Sequence, residues 1–448
     1  MNETIEFSAT VSATTRNGVL VVTIDNPPVN ATSVDVRGGL AKALAHAETA
    51  ADVTGVVVTG AGKTFIGGAD IKEFGKPAMD PTLPSVIEKI EGLSKPVVAA
   101  LNGAALGGGL EVALACHSRV AAPAAQVGMP EVKLGIVPGA GGTQRLPRLI
   151  GIPAALDLIT SGRSVKAEEA LKLGIVDELA AGDLVEAATS AVSALAGKPL
   201  RRTGELTIAL SDAAEIEKTS AKILARARGQ KAPAEAVRLV TSSNRPFAEG
   251  LADERATFLA LRDSREAAAL RHVFFAERES SKVEGLEGVE PRPVRTIGIC
   301  GLGLMGSGIA VAALGAGYSV IGLDQTAEAA EKGKERIIGL LERNVASGRL
   351  DQTGFEAQKA RLSVTATDAD LAPCDLVVEA VFDDLAAKTD LFQRLDKVIR
   401  PDAVLATNTS YLNPDEIAAA TAHPQRVLGL HFFSPAHVMR LLEVVRCA

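Results

Sequence analysis

The stretch Gly301-Leu-Gly-Leu-Met-Gly306 narrows what this chain can fold into more than any other. A G-x-G-x-x-G alone is a weak signal. This one follows the apolar run of residues 295–300 (RTIGIC), opens the small-residue helical stretch LMGSGIAVAALGAG, and leads to a second apolar run (SVIGL) that ends at Asp324. A strand turning through glycines straight into a helix, then returning as another strand, describes a parallel, doubly wound sheet. The glycines let the backbone approach a pyrophosphate, free N–H groups at the helix start face it, and the acid takes the ribose hydroxyls. Gly301, Gly303, Gly306 and Asp324 are therefore the expected dinucleotide contacts, and an acid at 324 favours NAD over NADP. The buried-strand theme recurs in DLVVEAV and AVLATNTS.

That unit needs only part of 448 residues, so two or three domains are expected. Residues 283–295 (VEGLEGVEPRPVR), rich in Gly, Pro and charge, read as a hinge before it. Upstream, residues 19–25 (VLVVTID), 55–59 (GVVVT) and 96–101 (PVVAAL) read as strands, and Ser33 precedes a helical pattern. Repeated strand–loop–helix order implies an α/β layered core with loops presented on one side. From about residue 181 helix formers dominate, and ADERATFLALRDSREAAALRHVFFAERES reads as one long amphipathic helix. The expected domains are 1–190, a helical connector over 191–292, and 293–448. A net charge of −7 without any Lys/Arg run speaks against nucleic-acid or anionic-membrane surfaces. Four scattered cysteines give neither a disulfide framework nor a zinc site, and no apolar run is long enough to span a membrane.

Three segments of the first part carry chemistry. In Thr64-Phe-Ile-Gly-Gly-Ala-Asp-Ile71 two glycines allow close ligand approach, and the next N–H groups can point at an oxygen. In Asn102-Gly-Ala-Ala-Leu-Gly-Gly-Gly-Leu-Glu111 a strand runs through glycines into a helix, with Glu111 among apolar neighbours near its start. In the third segment, residues 128–143, Glu131 follows a proline; taken alone, it reads as a surface-loop acid.

In their order and spacing the three segments resemble the crotonase (enoyl-CoA hydratase/isomerase) superfamily over roughly residues 10–190. NPPVNA (26–31) matches a stretch on the coenzyme A face of those proteins. The resemblance implies a ββα spiral fold and an acyl-CoA thioester substrate. It also implies an oxyanion hole from the N–H groups of Ala69 and Gly108, with Glu111 activating water and Glu131 supplying the α-proton. The same pair can shift a 3-enoyl double bond to the 2-position.

Near the end of the chain come Asn408-Thr-Ser410, Gly429-Leu-His-Phe-Phe-Ser-Pro435 and Leu441-Leu-Glu443. This constellation looks like the L-3-hydroxyacyl-CoA dehydrogenase family. The resemblance implies a Rossmann-type NAD domain with His431 as base, Glu443 orienting it and Ser410 contacting substrate. Lys388 matches a further NAD-site position, with Asp383 where that family has a longer acid. Because the family's catalytic asparagine and helical domain lie beyond residue 448, an incomplete dehydrogenase module is expected.

The whole chain thus resembles multifunctional fatty-acid β-oxidation enzymes. The expected function is hydration of 2-trans-enoyl-CoA without a metal. The alternatives are an isomerase-dominant enzyme and a CoA- and NAD-binding assembly protein with impaired catalysis. The expected compartment is the cytoplasm, ahead of the peroxisome, and self-association is compatible with the resemblance.

Overall fold

The computed structural model describes residues 3–77, 79–280, 282–286 and 288–447. They form two compact units that divide between Glu284 and Gly285. Glu287, inside the segment read as a hinge, lies outside the described residues.

The first unit holds two sheets. The larger orders its seven strands as Thr4–Ser8, Val11–Arg16, Val19–Ile24, Gly55–Gly60, Val97–Leu101, Ser118–Ala121 and Glu178–Leu179. The first three pair antiparallel and the rest parallel. Every residue of Gly55–Gly60 and Val97–Leu101 is buried, as expected of parallel strands covered on both faces. Val57, Val98 and Val120 face Ala188 and Val192 of the Leu184–Leu195 helix, while Val56, Val58 and Ala99 join the main core.

The smaller sheet runs Ser164–Lys166, Gln126–Gly128, Ala104–Leu106, Thr64–Ile66. Three times the chain leaves the large sheet, lays a short strand into the small one, and later enters a helix. Gly55–Gly60 is followed by Thr64–Ile66, Val97–Leu101 by Ala104–Leu106, and Ser118–Ala121 by Gln126–Gly128. This ββα winding brings three glycine-rich strand exits together.

The single long helix read over residues 252–280 is instead two, Phe247–Arg262 and Arg265–Glu279. Ser264 makes the break: its hydroxyl accepts the Ala267 N–H at 3.1 Å and caps the second helix. These helices are no free-standing tether. Ala232, Ala236, Leu239, Val240, Leu261 and Ala267 belong to the same buried cluster as Val56 and Leu110.

The second unit is one seven-stranded sheet in the order Leu362–Thr365, Ser319–Leu323, Thr296–Cys300, Leu376–Glu379, Val404–Thr407, Val427–Phe432, Leu442–Arg446. Six strands are parallel, and the last pairs antiparallel with its neighbour. The order reverses at Thr296–Cys300, the position at which doubly wound sheets open a crevice for ligands. No helix among the described residues is long and apolar enough to cross a membrane.

Candidate active site

In the first unit a cavity of about 740 Å³ is lined by Ala69, Gly108, Glu111 and Glu131 together. Ala69 follows the Thr64–Ile66 strand. Asn30 of the NPPVNA stretch, buried and at φ 53°, fixes the entry to that strand by donating to the Ala61 and Thr64 carbonyls at 3.1 and 2.7 Å. Gly108 starts the Gly108–Ala115 helix, whose first-turn N–H groups have no intrahelical partner. A methyl on Gly108 would stand 3.6 Å from the Ala69 nitrogen and 2.9 Å from Leu83 Cδ2, so the two backbones are close neighbours. Among the described residues neither the Ala69 nor the Gly108 N–H donates to a protein acceptor.

Glu111 is 3% exposed. Its Oε1 accepts the N–H groups of Ala140 and Gly142 at 2.7 and 2.9 Å. Burial pushes its pKa up, against those two N–H groups and the guanidinium charges of Arg145 and Arg255. Glu131, at the start of a short 3-10 turn (Glu131–Leu134), is 9% exposed, so the surface-loop reading of the residue alone does not hold. Its Oε2 is buried without a hydrogen-bond partner. Burial, then the Glu111 charge, lift its pKa well above the carboxylate range. Of the two, Glu111 is equipped to hold charge and Glu131 to hold a proton. Gly107 has to be glycine: its φ is 51°, and a Cβ there would stand 3.0 Å from Glu131 Oε1.

Two features escape a linear reading. The cavity wall is completed by Arg255, Phe258 and Arg262 of one helix and Leu270, Val273 and Phe274 of the next, all from the segment read as a connector. A third carboxylate, Glu254, is 1% exposed beside the pair. The sequence carries one signal for it: Gly250, Glu254 and Leu261 share a helical stripe, and all three are buried.

In the second unit Gly301 adopts φ 85°, and a Cβ on it would stand 2.8 Å from the Ala380 carbonyl oxygen. A Cβ on Gly306 would run into the Gly301 carbonyl, whereas around Gly303 there is open space at the start of the Leu304–Gly315 helix. Asp324 is half-buried and accepts the Leu302 N–H at 3.0 Å. This cradle, with an acid at the neighbouring strand end, fits a dinucleotide. Lys388 is fully buried and bonded to Glu379 at 2.5 Å, with Asp383 3.4 Å away. Glu379 also accepts from Val381 N and Thr407 Oγ1, both at 2.8 Å.

His431 and Glu443 lie directly opposite on the last two strands. His431 Nδ1 is 2.6 Å from Glu443 Oε2, and His431 Nε2 is 3.2 Å from Ser410 Oγ. The carboxylate fixes the ring so that Nε2 is presented on the Ser410 side. Among the described residues no group of three or more His, Cys, Asp or Glu side chains is placed to hold a metal.

Comparison with known proteins finds a family for each part of the chain. Residues 14–251 match the family Enoyl-CoA hydratase/isomerase, and residues 296–448 match the 3-hydroxyacyl-CoA dehydrogenase, NAD binding domain. The "Peroxisomal bifunctional enzyme" of Danio rerio is 44% identical over 439 residues, covering 96% of this chain and 60% of its own length. The human protein of that name is 40% identical over 444 residues (96% and 61%). The Arabidopsis thaliana "Peroxisomal fatty acid beta-oxidation multifunctional protein MFP2" is 38% identical over 453 residues (96% and 62%). The chain spans about three fifths of the length of these curated relatives. It belongs to the enoyl-CoA hydratase/isomerase family, its crotonase-type domain fused to a 3-hydroxyacyl-CoA dehydrogenase NAD-binding domain.

Proposed function

We propose that the first unit adds water across the double bond of 2-trans-enoyl-CoA, giving a 3-hydroxyacyl-CoA for fatty-acid β-oxidation. The observation that carries this reading is the pairing of a buried, unpartnered carboxyl oxygen on Glu131 with Glu111 in a cavity also lined by Ala69 and Gly108. Addition at C3 drives negative charge onto the thioester oxygen, where the Ala69 and Gly108 N–H groups would receive it; one such donor contributes about 2.7–4 kcal/mol. Glu111, charged and held by two N–H groups, takes the proton from water as its oxygen bonds C3. Glu131, neutral, delivers a proton to C2. Loss of the conjugated-thioester absorbance of crotonyl-CoA tests the reading. An inert protein, or Glu111→Gln and Glu131→Gln variants at wild-type rate, would overturn it.

A second activity at the same pair is favoured by the unpartnered Glu131 oxygen: in its ionised form Glu131 can take a proton from C2 of a 3-enoyl-CoA and return it at C4. Only a 3-enoyl-CoA substrate ranks this isomerisation against hydration.

For the second unit we propose oxidation of the 3-hydroxyl. Gly301, Gly303 and Gly306 would admit the NAD pyrophosphate, and Asp324 the ribose. Bound NAD supplies the hydride acceptor. His431, oriented by Glu443, takes the hydroxyl proton, with Ser410 holding the substrate oxygen. Lys388, fully enclosed, would support the cofactor's side only through the strand end it holds at Glu379, with Asp383 beside it. NADH formation from 3-hydroxybutyryl-CoA is the test. The compartment we favour is the cytoplasm, with the peroxisome of the relatives' names as the alternative that cell fractionation would decide.

A further inference from the structure

Four consecutive backbone N–H groups, from Ala140 to Thr143, point alternately to two different carboxylates. Ala140 and Gly142 donate to Glu111. Gly141 donates to Glu254 Oε1 at 2.5 Å, and Thr143 donates to Glu254 Oε2 through both its N–H (2.8 Å) and its hydroxyl (2.5 Å). Glu111 belongs to the Gly108–Ala115 helix beside the cavity. Glu254 belongs to the Phe247–Arg262 helix, just beyond the residues that match the hydratase family.

The Arg145 and Arg255 guanidiniums hold the Ala140 and Gly139 carbonyls of this loop at 3.1 and 3.4 Å, and Glu254 is the hold on its N–H side. Gly139, Gly141 and Gly142 leave the loop almost without side chains. A Cβ would meet the Phe258 ring at Gly139, the Arg145 guanidinium at Gly141, and Glu111 Oε1 (3.0 Å) at Gly142. The crowding demands glycine, and glycine brings the widest backbone freedom. An outside anchor is therefore needed if Ala140 and Gly142 are to meet Glu111 in one fixed geometry.

We propose that Glu254 is a positioning residue for hydration, holding Gly141 and Thr143 so that the alternate N–H groups of the same loop orient Glu111. The inference rests on the hydratase reading of Glu111. Glu254 lines a second cavity, of about 670 Å³, rather than the one around Glu131, so it acts through the loop and not on substrate. Its charged surroundings are Glu111 and Glu131 across the loop, Arg255 beside it on its helix, and Arg145, itself paired with Glu91 at 2.6 Å. Arg202, Glu205 and Glu88 line the same second cavity. Burial and the Glu111 charge raise the Glu254 pKa to about 8, and its charge in turn raises that of Glu131.

The test uses Glu254→Gln in the full chain. Its amide can accept from one side of the loop but turns an NH2 toward the other. Crotonyl-CoA hydration is followed across pH, and amide hydrogen exchange is followed in the 139–143 loop. The expected result is a kcat lower by about tenfold or more with KM changed less than about threefold. The alkaline limb of the pH profile should move to lower pH, because Glu131 loses a negative neighbour, and loop exchange should quicken. If Glu254→Gln does not fold, Thr143→Val, which removes the hydroxyl contact to Glu254 together with the acceptor of Gln144 Nε2, should shift kcat and loop exchange in the same direction by less. Unchanged loop exchange, or faster exchange with wild-type kcat and pH profile, overturns the proposal. A wild-type chain that does not hydrate crotonyl-CoA refutes the hydratase reading, and loop exchange then decides by itself whether Glu254 holds the loop.

Discussion

Replacing Glu131 by Gln should lower activity and raise stability, and the two signs together test the reading of the site. Gln keeps the shape of the side chain and stays neutral. Glu131 Oε2 has no hydrogen-bond partner to lose, so the substitution breaks no contact at that atom. Without a transferable proton the α-carbon step loses general-acid help, typically about 10²–10⁴-fold in rate. Stability moves the other way. The folded-state pKa of Glu131 is raised, by burial first and then by the Glu111 charge. Its contribution to stability is therefore full below the unfolded value and is lost as pH rises through the folded value. Each unit of that elevation is worth about 1.4 kcal/mol at a pH above both values. The Gln variant escapes this loss. Its melting temperature should match wild type near pH 4, below the ordinary carboxyl value, and exceed it increasingly toward pH 8. Crotonyl-CoA absorbance and thermal melts at both pH values are the assays. Activity within tenfold of wild type, or a melting difference independent of pH, would refute the reasoning.

Glu111→Gln should keep the fold while abolishing most hydration, because an amide oxygen can still accept from Ala140 and Gly142. Glu111→Ala should also destabilise, by about 1–3 kcal/mol for each stranded N–H in a urea titration. In the second unit Gly306→Ala should disrupt the turn, since its Cβ meets the Gly301 carbonyl, and lower both NAD affinity and melting temperature. Gly303→Ala has room in the folded chain and should weaken only NAD binding, measured by titration calorimetry. His431→Gln should leave NAD affinity unchanged and cut NADH formation from 3-hydroxybutyryl-CoA by about 10²-fold or more.

The parallel strands were legible because burial on both faces writes a continuous apolar run: residues 19–25, 55–59 and 96–101 lie within a residue of the observed strands. The helical pattern after Ser33 was legible too, and the Ser33 hydroxyl caps that helix by accepting the Val36 N–H at 3.4 Å. Cap chemistry was also present at Ser264, but the apolar pattern on either side of it continued and hid the break. Glu254 was missed because its importance comes from a loop more than a hundred residues earlier in the chain, which no local pattern encodes. The link between Lys388 and Glu379 was missed for a related reason: the family resemblance points from Lys388 to Asp383, while the buried ammonium reaches past it to a strand end.

That buried ammonium also constrains how such a chain can change over time. Lys388 and Glu379 are both fully enclosed, and the carboxylate also accepts from Thr407 Oγ1 and the Val381 N–H. Losing Lys388 alone strands the Glu379 charge in a dry interior, a change that costs about 3–5 kcal/mol, whereas losing Glu379 leaves the ammonium only Asp383, 3.4 Å away. A joint exchange for apolar residues of similar volume is far milder. The two positions should therefore drift as a pair or not at all. A lineage that loses one should soon replace the other, whatever the fate of the glycines and the histidine around them.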